Sequence, residues 1–160
     1  MRRLNRKHIE AVIDLINRGP YLKLLSMTVV DLDVGYAVLH VNVESKHFNP
    51  FGGIHGGVYA SIIDTAAYWA MYCQLDEHAG LVSLDLKVNN LASFRTGRLI
   101  VRGQSLKFGK TICLAQGVVS TEDGKMIAHG TSTLMQTPGM QTMEQAFQFA
   151  GKQPPPPKFL

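Results

Sequence analysis

A histidine followed at once by two glycines, His55-Gly56-Gly57, opens the longest apolar stretch of the chain, and one carboxylate, Asp64, interrupts that stretch about two turns later. Glycine lets another group approach the backbone closely. A helix start offers N–H groups that lack an intrahelical partner and carry positive partial charge. Such a place can hold the oxyanion that forms when a nucleophile adds to a carbonyl. The same glycine pair would equally serve tight packing of a helix on a sheet. Asp64 makes the stronger case for chemistry, because burying an unpaired carboxylate in an apolar helix is expensive. Its neighbours at three and four residues, Ala60, Ser61, Ala67 and Tyr68, are mostly small and leave room for something to approach. Asp64 reads as a functional group of a site, or as a structural acceptor satisfied by backbone N–H groups or by Tyr68.

The elements that must position these residues are legible from periodicity. The apolar stretch from His55 to Leu75 is close to the length of a membrane span, yet Asp64 sits near its middle, where a charge costs about 3 kcal/mol. A long helix buried under a sheet fits better. Met27 to Val34 suggests a strand with a slip of phase, and Ala37, Leu39, Val41 and Val43 alternate cleanly in a second. Lys46-His47-Phe48-Asn49-Pro50-Phe51-Gly52-Gly53 breaks both helix and strand periods and predicts a segment without regular structure ahead of the helix. After the helix come four strands in the manner of a meander: one through Val82, Leu84, Leu86 and Val88, then 98–107, 111–120 and 126–135, with Asp123-Gly124 as a tight hairpin. The expectation is an α+β fold in which an antiparallel sheet of about six strands wraps around one long buried helix.

Outside that core, Ile9, Val12, Ile13 and Ile16 mark one face of an N-terminal amphipathic helix, capped by Asn5 and stopped by Gly19-Pro20. The basic start from Met1 to Lys7 resembles the front of a signal peptide, but Glu10 and Asp14 interrupt the apolar run that such a peptide needs next, so it reads as part of a surface helix. The chain divides into an N-terminal helix over 1–20, a core domain over 21–136 and an extension over 137–160. The extension carries Pro154-Pro155-Pro156-Pro157 and is expected to be mobile at its end. Apolar residues make up 46% of the chain, charged residues 18%, and the net charge is +4, so a globular domain is expected. Cationic residues are scattered without a recognition helix, finger or aromatic RNA-binding pattern, which argues against nucleic acid. Cys73 and Cys113 read as reduced core thiols of a cytoplasmic protein, and six histidines show no metal-ligand spacing, so neither metal nor cofactor is expected.

Asn49-Pro50-Phe51-Gly52-Gly53-Ile54-His55-Gly56-Gly57, with an aspartate nine residues after His55, resembles the hotdog-fold acyl-CoA thioesterases. The resemblance is to the branch of the phenylacetate-pathway thioesterases and the human thioesterase-superfamily member 2 type. It runs from about Tyr21 to Leu134 and takes in the segment from Val82 to Asn89, Gly109-Lys110-Thr111 and the run from Asp123 to Ala128. It implies that Asp64 is the general base or nucleophile and that Gly56 N–H is the oxyanion donor. It further implies that Asn49 orients the attacking water or the carbonyl, that His55 holds that loop, and that Ser83 is a hydroxyl near the aspartate. Read by themselves, Asn49 could be a plain turn residue and Ser83 a polar side chain on a strand's outer face. Gly57, Tyr68, Arg95, Lys107 and Lys110 complete the set as substrate-binding candidates, the cations for CoA phosphates. The chain departs from the family at Asn90-Leu91-Ala92-Ser93-Phe94-Arg95, where relatives often carry a Phe-Leu-Arg-Pro-like run.

Helix geometry bears on assembly. Gly56 and Asp64 lie roughly 12 Å apart along one helix axis, yet donor and base must each come within about 3 Å of one reacting group. The expectation is a homodimer, or a dimer of dimers, that pairs Gly56, Asn49 and His55 of one chain with Asp64 and Ser83 of the other. The expected reaction is hydrolysis of an acyl-CoA to carboxylic acid and CoA. A hotdog hydratase or dehydratase and a non-catalytic acyl-CoA-binding module are the rival readings.

Overall fold

The computed structural model describes residues 3–160; Met1 and Arg2, with which the basic start begins, lie outside them. Helix α1 (Arg6–Asn17) begins at Asn5, whose side chain accepts from Lys7 N–H at 3.1 Å, and it buries Ile9, Val12 and Ile16. Pro20 does more than end it. Proline suits the first turn of a helix, where its missing N–H costs nothing, and a short α2 (Pro20–Leu24) starts there.

Six strands form a single antiparallel sheet: β1 (Met27–Asp33), β2 (Tyr36–Asn42), β3 (Ala79–Asn90), β4 (Arg98–Lys107), β5 (Ile112–Thr121) and β6 (Met126–Pro138). Their order is β1-β2-β4-β5-β6-β3. Of the four strands after the helix, β4, β5 and β6 run as a meander and β3 does not lead into it. Helix α3 (Gly56–Tyr72) carries the chain across the sheet, so β3 lands at the far edge beside β6, and β4 returns to pair with β2. The phase slip in β1 is a bulge between Val29 and Asp31.

Three glycines bring α3 onto this sheet. Gly103, Gly117 and Gly130 are cross-strand partners on β4, β5 and β6. A Cβ on Gly103 would stand 2.0 Å from the carbonyl oxygen of Ala66, and one on Gly117 or Gly130 would meet Ile63 Cγ2 at 3.0 or 2.9 Å. The helix thus lies in a trough where side chains are missing, with Ile62, Ile63, Ala66, Ala67, Ala70 and Met71 fully buried. It is not apolar all round, because Ser61, Asp64, Thr65 and Tyr68 form a half-buried stripe along it.

After β6 the chain turns back over the start of β3. Gly80 permits the crossing: a Cβ there would meet Met140 O at 2.2 Å and Gln141 O at 2.4 Å. Helix α4 (Met143–Phe149) comes next, with a capping box between Thr142 and Gln145. The end of the chain packs against α1 and the close of α3. Lys158, 1% exposed, donates to Tyr72 O at 2.6 Å and Leu75 O at 2.9 Å, capping the carbonyl end of α3. Asn5 and His8 of α1 hold the carbonyls of Pro157 and Pro156. Proline carbonyls accept as any others do, so four prolines exclude regular structure without excluding docking.

Candidate active site

Asp64 lies on the half-buried stripe of α3, on the side that Ser83 of β3 meets. The Ser83 hydroxyl donates to Asp64 Oδ1 at 2.8 Å. The register of β3 explains how a residue expected on the outer face arrives. Ser83 pairs with Leu134 and Asp85 with Thr133, so Leu84 is an extra residue, bulged out and 53% exposed. The bulge resets the alternation, so Ser83 and Leu86 both face α3, opposite the buried Leu134 and Ser132. Ser132, which sequence reasoning misses, places its hydroxyl 3.5 Å from Asp64 Oδ1 while donating to Asp85 O at 3.2 Å. Its signal, a serine at a core position of a strand, is visible only once the register is known. Asp64 Oδ2 has no hydrogen-bond partner among the described residues.

Asp64 lines a cleft of about 530 Å³ together with Thr65, Tyr68, Trp69 and residues of α4. Burial, followed by the nearby Asp64 charge, pushes the Tyr68 phenol up. It is therefore a neutral wall of the cleft.

The helix start forms a second group. His55 Nδ1 accepts from Gly57 N–H at 2.9 Å, so the ring caps α3, while Val58 N–H donates to His55 O. Gly56 N–H has no partner among the described residues, which leaves it available to an incoming oxygen. Asn49 Oδ1 accepts from Phe51 N–H at 2.9 Å and Gly53 N–H at 3.3 Å, folding its own loop. The loop is anchored by His47, another residue absent from the expected set. It is 1% exposed, its Nδ1 accepts from Glu44 N–H, its Nε2 meets Leu25 O, and its carbonyl accepts from His55 N–H.

Within one chain the two groups stay apart. Asp64 and Ser83 sit at the cleft. Gly56, Gly57, His55 and Asn49 cluster at the helix start, where Gly56 abuts Asn90 at the end of β3. Arg95 belongs with the second group, its guanidinium close to Gly52. Lys107 and Lys110 lie at the other end of β4, roughly 30 Å of strand from Arg98. Among the described residues no three His, Cys, Asp or Glu side chains converge as a metal site, and no helix is long and apolar enough to cross a membrane.

Comparison with known proteins bears on the chemistry. The thioesterase superfamily model matches residues 51–128, a span that holds His55, Gly56, Gly57, Asp64 and Ser83 but neither α1 nor α4. Human acyl-coenzyme A thioesterase 13 is 28% identical over 109 residues, 67% of this chain and 77% of that protein. A relative in Haemophilus influenzae is 30% identical over 92 residues, 58% of this chain and 67% of its own. Among solved structures, a thioesterase from Haemophilus influenzae superposes with a TM-score of 0.76 at 23% identity, over 82% of this chain and 92% of that one. A thioesterase family protein from Silicibacter pomeroyi superposes at 0.75 with 26% identity, over 82% and 99%. By family match, relatives and architecture together, the chain belongs to the thioesterase superfamily and is a thioester hydrolase of the hotdog fold.

Proposed function

We propose that the protein hydrolyses acyl-CoA thioesters in a site shared by two chains, with Asp64 as general base and the partner's Gly56 N–H as oxyanion donor. The observation that carries this reading is the Asp64 carboxylate itself: one oxygen is held by Ser83 at 2.8 Å, the other is unpartnered, and both lie at an open cleft. Asp64 takes a proton from water as the water oxygen adds to the thioester carbonyl. The carbonyl electron pair moves to oxygen, where a backbone N–H stabilises it by about 3 kcal/mol. Collapse re-forms the carbonyl and breaks the C–S bond, and the departing thiolate recovers the proton from Asp64.

The sheet edge supports the shared site. Strand β3 is long, lies at the edge and has no neighbour on its outer side, an arrangement that invites pairing with another strand. Exposed apolar residues lie on it: Leu84 at 53%, and Leu91 directly after its end at 57%. An antiparallel two-fold pairing of β3 with its copy, centred between Leu86 and Lys87, sets Ser83 of each chain opposite Asn90 of the other. Ser83 carries Asp64, and Asn90 carries Gly56. Base and donor then meet across the axis twice. The hydratase reading loses ground on α3, which carries no Glu to act as the acid beside His55.

The test is thiol release from a panel of acyl-CoAs by wild type and by Asp64→Asn. The near-isosteric amide should keep the fold and lose about 10²–10⁴-fold in kcat. A folded variant with near-wild-type turnover ends the assignment.

A further inference from the structure

A second cleft, of about 520 Å³, continues the one that Asp64 lines. The two share Leu22, Trp69, Met143, Ala146 and Phe149, so they are one groove running between α4 on one side and α1–α2 on the other. Its character changes along its length. At the Asp64 end the walls include Thr65, Gln141, Thr142 and Gln145; farther on they are Leu15, Ile16, Pro20 and Ala150. The far end is bounded by ions: Asp14 pairs with Arg18 at 2.9 Å and with Lys152 at 3.2 Å, the latter tying the chain beyond α4 to α1. A thioester head at the polar end and a hydrocarbon tail in the apolar length would match this gradient.

Helix α4 has no place in the sheet-and-helix core and lies outside the family-matched span. The chain nevertheless invests in holding it there. Gly80 gives the backbone of Met140 and Gln141 a seat on β3, the Thr142–Gln145 capping box starts the helix, and Phe147 is buried at 5% exposure as its anchor. The opposite end of the helix carries Phe149, 95% exposed at the groove's rim. An aromatic side chain left bare there, beside an apolar groove, is placed to close over an apolar occupant.

We propose that α4 is the wall of an acyl-binding groove beginning at Asp64, and that the enzyme selects elongated, unbranched aliphatic acyl chains whose accepted length is set at Ala146 and Ala150. This rests on Asp64 marking the thioester end. Two joined clefts suit a chain rather than a ring, which would fill only the first. Ala146 borders both clefts and Ala150 only the second, so the two positions act as nearer and farther stops.

The experiment measures kcat/KM for butanoyl-, octanoyl-, dodecanoyl- and phenylacetyl-CoA. The linear series should rise about two- to fourfold per methylene while the tail is entering the groove, the fold-change that burial of a methylene supplies, and phenylacetyl-CoA should fall below octanoyl-CoA. Ala146→Phe should cut the dodecanoyl-to-butanoyl ratio at least tenfold. Ala150→Trp, on an exposed surface where folding is not at stake, should cut the same ratio but spare the octanoyl-to-butanoyl ratio. Calorimetric binding of the same esters to Asp64→Asn separates the groove from the catalysis. If wild type hydrolyses none of them while length-dependent affinity persists and is lost in Ala146→Phe, the proposed activity fails and the groove stands. Affinity and rate independent of chain length, or ratios that neither substitution moves, overturn the proposal, as would a preference for phenylacetyl-CoA.

Discussion

Asp64 gives one oxygen to Ser83 and keeps the other open, an arrangement that fixes a carboxylate without spending it. Hydrogen bonds to charged groups contribute about 1.5–3 kcal/mol, so losing this one would let the carboxylate swing out of line. Ser83→Ala should therefore lower kcat by roughly 10- to 100-fold with KM little changed, and Ser83→Thr should restore much of it. Unfolding temperature is the accompanying measurement: a drop in kcat that merely tracks lost stability would assign Ser83 to structure. Asp64 is legible in the sequence because a carboxylate in an apolar helix is costly and needs a reason. Ser83 has only the resemblance behind it. A one-residue bulge reverses every later side chain, and nothing in the alternation of Val82, Leu84, Leu86 and Val88 announces where the bulge falls.

Helices and strands can be read closely from periodicity, since burial in a two-layer core imposes period 2 on one and 3.6 on the other. Strand order cannot, because the alternation in β3 is the same whether its neighbour is β4 or β6. The glycine trough does leave a signal: Gly103, Gly117 and Gly130 each interrupt a strand, where glycine usually marks a close approach. At Gly103 that approach is backbone to backbone and has no flexible side chain to yield. Gly103→Ala should force α3 off the sheet and destabilise the protein by about 3 kcal/mol, measurable by urea unfolding. An alanine variant as stable as wild type would mean that the helix has slack.

The tail carries a pH dependence of its own. Burial lowers the Lys158 amine to about 8 from the ordinary lysine value of 10.5. Between those values the unfolded chain holds the proton and the folded chain does not, so unfolding takes a proton up and the contribution of Lys158 to stability rises with pH. It is lost as pH falls through about 8. Unfolding free energy measured from pH 7.5 to 10.5 should show this upward component in wild type and lack it in Lys158→Met, which keeps the stem in place without the charge. Equal slopes in the two proteins would place the Lys158 charge in water.

For the whole molecule, the separation of Gly56 from Asp64 matters most, and it is legible from helix rise alone. The structure adds how a second chain could close the gap, through the bare edge of β3. Two single-site variants test this. Asp64→Asn removes the base. Gly56→Pro removes the oxyanion N–H itself, and proline is well suited to that position: it is the first residue of α3, and His55 before it is already extended, at φ −63° and ψ 135°. Each variant alone should be nearly inactive. Co-refolded in equal amounts, half of the dimers are mixed. A mixed dimer has one site with both defects and one with neither, so activity should return to about a quarter of wild type. Recovery requires that the two groups act from different chains, because a site built within one chain would stay broken in every combination. Demonstrably mixed dimers that remain inactive would therefore return both groups to a single chain, or remove one of them from the chemistry.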